Sequence, residues 1–351
     1  MSVAPEIEIA GRKIGAEYPP YVICELSGNH NGSLDRALSM IDAAAETGCD
    51  AIKIQTYTAD TITLDVDRPE FKIQGGLWDG RSLYELYQEA QTPFEWHAAL
   101  FERAAQRGVT LFSSPFDETA IDLLDGLGAP AFKIASFEAV DLPLIRYAAA
   151  KGKPLIISTG MANLAEIEAA RAAALEAGAA GVVLLHCVSS YPADLADANV
   201  RTVADMAARF DSPIGLSDHT HGAAASVAAI ALGASVIEKH FTLARSDGGP
   251  DAAFSLEPAE FSHLVAECKA AWTALGRAHY DVLGSERGNL QFRRSLYICA
   301  DVKAGEPLTR ANVRSVRPGL GLAPAHMDEV LGRPAARDLT RGEPLAWDML
   351  G

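Results

Sequence analysis

The sequence predicts an α/β fold: a closed (β/α)8 TIM barrel followed by a small β-rich C-terminal domain. Three observations carry that prediction. Short apolar runs alternate with amphipathic helical stretches from residue 21 to about 276. The runs number eight, which is the count that closes a parallel barrel. Each run turns polar at its C-terminal end, the rim on which barrel enzymes assemble their sites. An open doubly wound sheet is the alternative, but no GxGxxG follows the first run, where a dinucleotide-binding sheet carries one.

In order, the runs are YVICELS, AIKIQTY, TLFSSPF, AFKIAS, PLIISTG, VVLLHCVSSY, PIGLSDHT and SVIEKHFT. They are followed by segments such as LDRALSMIDAAAETG, PFEWHAALFERAAQRG and AEIEAARAAALEAG. The apolar spacing of these segments buries one helical face, and their terminal Gly suits a helix C-cap. After the second run comes an insertion over residues 58–92, TADTITLDVDRPEFKIQGGLWDGRSLYELYQEAQT. A connection of that length is either a lid over a site or a surface hairpin. Beyond the eighth helix the texture changes to GRAHYDVLGSERGNLQF. Then ADVKAGEPLTRANV (300–313) is echoed by RDLTRGEPLAWDML (337–350). A duplicated turn-and-strand unit in so few residues predicts a compact β module. The expected domains are a barrel over 1–280, a linker over 281–292 and the module over 293–351.

Composition narrows the function. The formal net charge of −16 over 351 residues argues against a nucleic-acid partner, because phosphate-backbone binders display a basic face. No apolar run reaches the length of about 20 residues that a membrane helix needs. The opening MSVAPEIEIAG has neither a basic leader nor an apolar core, so a cytoplasmic protein is expected. The five scattered cysteines, without a CxxC pair, read as buried free thiols.

Strand side chains alternate in direction, so Ser217 and His219 share one face of their run while Asp218 takes the other. On the next run Glu238 and His240 share a face and Lys239 opposes it. Neighbouring strands lie about 4.8 Å apart, so His219 and His240 can converge at the rim. Two neutral imidazoles there would hold a divalent ion and leave positions open for substrate; the other reading is that each ring only hydrogen-bonds within the rim. His221 falls in the following loop, and His186 sits deeper as a core histidine. Lys53 and Lys133 lie inside otherwise apolar strands, where an unanswered ammonium is costly. With hydroxyls at Ser136, Ser158 and Ser217 they make a cradle for phosphate or carboxylate. They could instead pair internally with Glu25 or Glu238, or one of them could be a Schiff-base nucleophile.

Taken in order, CELSGNHNGS, AIKIQTY, FSSPFD, FKIASFE, IISTGM, SSYP, GLSDHT and EKHFT, with GPD at 249–251, resemble the sialic acid synthase family. The likeness runs from about residue 5 to the C-terminus, and the last module resembles the antifreeze-protein-like (SAF, β-clip) domain. GGLWDG, SDGGPDAAFSLEP and FRRSLY are similar to the pseudaminic branch of that family. The resemblance implies metal-dependent condensation of phosphoenolpyruvate with a 6-deoxy diacetamido hexose, 2,4-diacetamido-2,4,6-trideoxy-β-L-altropyranose, giving pseudaminic acid and phosphate. An N-acetylneuraminate or legionaminic acid synthase is the alternative within the family. A Schiff-base pyruvate aldolase and a non-catalytic carbohydrate-binding protein are the alternatives outside it.

The same resemblance implies roles residue by residue. Lys53, Lys133, Ser136, Ser158 and Ser217 match phosphoenolpyruvate-binding positions; Ser189 stands where the N-acetylneuraminate branch has an asparagine. His219 and His240 match ligands of a divalent metal, manganese first, with magnesium or cobalt as alternatives. Glu25, Gln55, Tyr191, Glu238 and Asp251 match positions around the sugar, with Glu25, Glu238 and Asp251 as the acid–base candidates. Arg317 matches an arginine given to a neighbouring subunit, which implies a domain-swapped homodimer.

Overall fold

The computed structural model of the chain describes residues 5–351. It divides into two compact units, Met1–Gly276 and Arg277–Gly351. The first opens with an antiparallel hairpin of β1 (Ile7–Ile9) and β2 (Arg12–Ile14). Eight parallel strands follow: β3 (Tyr21–Glu25), β4 (Ala51–Thr56), β5 (Thr110–Pro115), β6 (Phe132–Ile134), β7 (Leu155–Ser158), β8 (Val182–Cys187), β9 (Ile214–Asp218) and β10 (Val236–His240). They close into a barrel in sequence order, with β10 beside β3. These strands fall within the eight apolar runs.

A barrel strand is buried on both faces, which is why each run is nearly continuous in apolar residues. Alternation divides the two faces. Tyr21, Ile23, Phe112, Ile156, Val183, Leu185 and Val236 form one core cluster inside the barrel, while Val22, Cys24, Ile52, Ile54, Leu184 and Ile237 pack outward against the helices. Ile9 and Ile14 join the inner cluster, so the hairpin plugs the end of the barrel opposite the polar rim. The sequence reading did not foresee this plug. Its signal was IEI and RKI flanking Ala10 and Gly11, whose φ values of 50° and 78° meet the demands of a two-residue hairpin turn.

Helices set the loops that carry polar groups to the mouth. Leu34–Glu46 starts on Ser33, whose hydroxyl accepts from Arg36 N at 3.2 Å, and Gly48 follows with φ 78°. Leu164–Glu176 starts on a reciprocal cap between Asn163 and Glu166. The insertion is a hairpin across Lys72 and Ser82 that leads into the helix Leu83–Ala90. Its base is held by Tyr57, buried edge-on against Tyr87 and Phe116.

On the outward face of β9 and β10, Lys239 Nζ lies 2.8 Å from Asp218 Oδ2, both fully buried. Asp218 also accepts from Ser226 Oγ at 2.6 Å and Thr220 N at 2.9 Å, and Lys239 donates to Thr220 O at 2.6 Å. This knot fixes the turn that follows β9, on which His219 sits.

The second unit begins with a 3-10 helix, Gly284–Phe292, in the segment expected as linker. It contains the antiparallel pair β11 (Ser295–Ile298) and β12 (Val313–Val316). The two sequence repeats pair with each other: Val302 and Leu339 exchange backbone bonds at 2.9 and 2.8 Å. Asp301 Oδ1 accepts from Arg341 N, and Asp338 Oδ1 accepts from Ala304 N, at 2.8 and 2.9 Å. Each Asp therefore caps the turn of the other copy, and Leu308 and Leu345 fill equivalent core positions. The duplication is a pseudo-two-fold built on reciprocal capping.

Removing one partner of a buried ion pair strands the other. Asp218→Ala is expected to lower stability by about 3–5 kcal/mol, measured as an earlier urea midpoint for the barrel.

Candidate active site

The polar ends of the strands meet inside the mouth. Glu25 pairs in register with Lys53 on one side and His240 on the other, and Ser217 pairs with Glu238. Lys53 Nζ lies 3.2 Å from Glu25 Oε2, 3.0 Å from Glu238 Oε1 and 3.3 Å from Ser114 Oγ. Lys133 Nζ lies 3.9 Å from the same Glu238 oxygen and donates to Ser158 Oγ at 2.6 Å and to Ile134 O at 3.1 Å. Ser217 Oγ donates to Glu238 Oε1 at 3.3 Å, and Gln55 Nε2 donates to Glu25 Oε1 at 2.9 Å. One carboxylate thus answers two buried ammonium groups. The internal pairing weighed for the lysines is present in this state.

Burial shifts these groups in opposite directions. It pushes Glu25 up to about 7, against the pull of Lys53 and with help from the Glu238 charge. For Glu238, burial is outweighed by Lys133 and Lys53, which hold it below the ordinary carboxylate value. Burial lowers Lys133 to about 8. It would lower Lys53 too, but Glu238 and Glu25 more than offset it and keep that amine above its ordinary value. Lys53 therefore stays an ammonium, and Glu25 is partly protonated near neutrality.

Two hydroxyls, of Ser136 and Ser189, lie against Gly160. Gly160 N donates to Ser136 Oγ at 3.2 Å. A Cβ on Gly160 would overlap Ser189 Oγ and come within 2.7 Å of Ser136 Oγ. Ser136 and Ser189 therefore bring their hydroxyls directly against the Gly160 backbone, two residues beyond Ser158, whose hydroxyl is held by Lys133. Only a residue without a side chain allows that approach.

The imidazoles of His219 and His240 face each other with centroids 5.3 Å apart. His219 Nδ1 bonds the Val188 carbonyl at 3.0 Å, which fixes that nitrogen as the donor and leaves Nε2 as the lone-pair nitrogen. His240 is buried, its Nδ1 has no hydrogen-bond partner, and burial with the nearby His219 and Lys53 charges holds its pKa well below the ordinary value. An oriented ring next to a neutral ring with an orphaned nitrogen suits a divalent cation. Among the described residues no cluster of three or more His, Cys, Asp or Glu is arranged as a ligand set, so these two rings would be the protein's share of the coordination. Burial works against protonation of His219, but Cys187 and the Val188 carbonyl outweigh it and raise its pKa. A cation there competes with a proton.

Above the rings stands an aromatic wall. Tyr191 lies 4.5 Å from His219 and 5.4 Å from Phe254, and Phe254 lies 4.9 Å from His240. Asp251 lies in the loop after β10, where burial raises its carboxyl against the pull of the Ser27 hydroxyl. Arg317 lies in the second unit, exposed, directly after β12. His186 bonds the Ala198 carbonyl at 2.8 Å, and His221 is an exposed loop residue.

Two residues escaped the sequence reading. Cys187 is a buried free thiol as expected, but its sulfur lies in the site, 3.8 Å from His219 Nδ1 and 3.7 Å from Ser189 Oγ. Its place at the end of β8, in phase with Leu185 inside the barrel, was the available signal. Glu138 follows Ser136 by two residues in FKIASFE; its Oε2 is buried without a partner, and burial pushes its pKa up to about 7.

A closed parallel barrel whose mouth joins two buried lysines to a pair of adjoining imidazoles defines the class: a (β/α)8-barrel enzyme with a mouth suited to an anionic small molecule. The description "NeuB family" matches residues 40–280, and "SAF domain" matches residues 293–351. The chain belongs to the NeuB family. It is 45% identical to a pseudaminic acid synthase of Campylobacter jejuni, over 93% of this chain and 95% of that one. It is 43% identical to a pseudaminic acid synthase of Helicobacter pylori, over 94% and 97%. Among solved structures, an N-acetylneuraminic acid (sialic acid) synthetase from Leptospira borgpetersenii, crystallised with citrate, matches with a TM-score of 0.74 at 33% identity. That match covers 83% of this chain and 96% of the other.

The buried Glu138 carboxyl gives a signed expectation. With its folded pKa raised to about 7, its contribution to stability is complete below the ordinary carboxylate range and is lost as pH rises through that value. Glu138→Gln, which cannot ionise, is expected to match the parent's urea midpoint near pH 5 and exceed it at pH 8.

Proposed function

We infer that the chain is a pseudaminic acid synthase, condensing phosphoenolpyruvate with 2,4-diacetamido-2,4,6-trideoxy-β-L-altropyranose and water to give pseudaminic acid and inorganic phosphate. The carrying observation is the pair of buried lysines sharing Glu238, with the hydroxyls of Ser114, Ser158 and Ser217 bonded to the same set. That arrangement is a preformed anion site. The relatives that share this sugar's product name match at 43–45% identity, against 33% for the sialic acid synthetase.

Phosphoenolpyruvate brings a phosphate and a carboxylate. Lys53 and Lys133 would neutralise them, and Ser136, Ser158, Ser189 and Ser217 would fix their oxygens, so that binding energy also aims carbon 3 of the enol. The sugar presents its open-chain aldehyde. A divalent ion, manganese by preference, held by His219 and His240 would supply Lewis-acid polarisation of the aldehyde oxygen. Glu25, partly protonated near neutrality and held by Gln55, is placed to give a proton to that oxygen as the carbon–carbon bond forms. Water then adds at carbon 2 of the former enol, with Glu238 or Asp251 as the accepting carboxylate. Breakage of the carbon 2–oxygen bond releases phosphate. Arg317 of the partner subunit would complete the anion site in a domain-swapped homodimer, with the cytoplasm as the compartment.

One observation favours a second reading. Lys133, lowered to about 8, has the character of a Schiff-base amine. Borohydride with pyruvate would trap Lys133 in such an aldolase and leave this protein unmodified. Phosphate release from phosphoenolpyruvate, manganese and the 6-deoxy sugar is the deciding assay; release with N-acetylmannosamine alone would assign another sugar.

His240→Ala is expected to cost more than about 10²-fold in turnover with an unchanged circular dichroism spectrum. Full activity of the parent in chelator would contradict the metal assignment. Gly160→Ala should leave folding intact, because the serine hydroxyls can rotate away. The Ser136 and Ser189 hydroxyls are then displaced from the ligand, and the KM for phosphoenolpyruvate rises by about tenfold or more.

A further inference from the structure

The insertion after β4 ends in the tip GGLWDG, where Gly75, Gly76 and Gly80 all take positive φ values of 77–80°. This turn carries Trp78 across the mouth. Its indole Nε1 donates to the Pro250 carbonyl at 2.9 Å, the residue before Asp251. Its ring lies 5.8 Å from Tyr191, with planes tilted by 49°. Tyr191 in turn lies 4.5 Å from His219. The rings thus climb from the imidazole through Tyr191 to Trp78, and Phe254 closes the side of the stack against both Tyr191 and His240.

We propose that Trp78 is a specificity-determining residue that receives the deoxygenated carbon 6 methyl end of the sugar. The inference rests on the substrate reading above and extends it to a residue of the GGLWDG segment for which the resemblance implies no role. The sugar's carbon 1 oxygen is fixed at the imidazole end, and carbon 6 lies five carbon–carbon bonds away, at the far end of the stack. An indole face there offers dispersion and apolar contact to a methyl group. It offers no hydrogen-bond partner to a hydroxyl, because the one polar atom of the indole is spent on Pro250. Fastening the tryptophan to the residue before Asp251 also ties the insertion to the loop that bears a candidate acid–base carboxylate.

The test compares kcat/KM for the 6-deoxy sugar with that for the same sugar bearing a hydroxyl on carbon 6, using the full chain with manganese and following phosphate. In Trp78→Ala the ratio of the two is expected to fall by about tenfold, with the sugar KM rising and the phosphoenolpyruvate KM unchanged. Trp78→Phe, which keeps an aromatic face but loses the bond to Pro250, should retain most of the ratio. A tryptophan serving only to fasten the hairpin would move both substrates' constants together and leave the ratio unchanged. That result, or equal losses of the ratio in the Phe and Ala variants, overturns the proposal while the substrate reading stands. Absence of phosphate release by the parent with the 6-deoxy sugar overturns both.

Discussion

Two ammonium groups inside a protein must be answered by anions, and the mouth of this barrel is organised around that demand. Lys53 and Lys133 project from strands otherwise filled with Ile, Phe and Ala, where desolvation of a charge costs far more than a surface ion pair returns. Glu238 answers both, with one oxygen 3.0 Å from the first and 3.9 Å from the second. The balance is incomplete. Glu25, the other nearby carboxyl, is pushed up to about 7 and carries only part of a charge near neutrality. Cationic excess in a dry site is a binding potential for an anion of more than one charge. It also explains why the neighbouring hydroxyls cluster: Ser114, Ser158 and Ser217 are the partners already bonded to members of this set.

The same balance shapes the acid–base chemistry. A carboxyl beside an uncompensated ammonium would be ionised and useless as a proton donor at neutral pH. Because Glu238 answers both lysines, Glu25 is left with burial as its strongest influence and is partly protonated near neutrality. Two carboxyls on neighbouring strands of one barrel therefore differ in protonation, and the difference arises from which of them faces the lysine pair. The outward knot of Asp218 and Lys239 serves this arrangement from behind. By fixing the turn after β9, it holds the His219 ring on the Val188 carbonyl and so sets the tautomer.

Much of this was legible because β-structure has a period of two. Once eight runs were recognised, alternation alone separated Ser217 and His219 from Asp218, and Glu238 and His240 from Lys239, and the pairing register places Ser217 against Glu238. What alternation cannot reach is contact made by loops. Ser189 and Ser136 meet at Gly160 only because two loops converge there, and the glycine's role appears when a Cβ is imagined on it. Cys187 is the buried free thiol expected, but composition and spacing gave no hint that a thiol at the polar end of a barrel strand faces the mouth. The plug was missed because three-residue strands fall below the length at which a pattern declares itself. Trp78 lay in a segment for which lid and hairpin were equally open; the structure makes it a hairpin whose tip reaches the mouth.

These different routes to legibility reflect a division of labour in the molecule. Groups that handle the anion and the imidazole pair sit at strand ends, where backbone register fixes them to a fraction of an ångström and where sequence spacing is preserved by the barrel's closure. The groups proposed to meet the distal part of the sugar sit on the insertion and on the segment around Pro250 and Phe254, outside the barrel strands. Loops of this kind can be exchanged without disturbing register, so a family can keep one condensation chemistry while changing the sugar. Substrate choice should therefore track the aromatic tier formed by Trp78, Tyr191 and Phe254, and not the lysine–glutamate tier below it. The two tiers meet at the His219 ring, whose one face touches Tyr191 and whose Nδ1 is held by the end of β8. Phe254 makes a second junction at His240, so on the proposed reading the fit of a sugar's far end bears on both imidazoles.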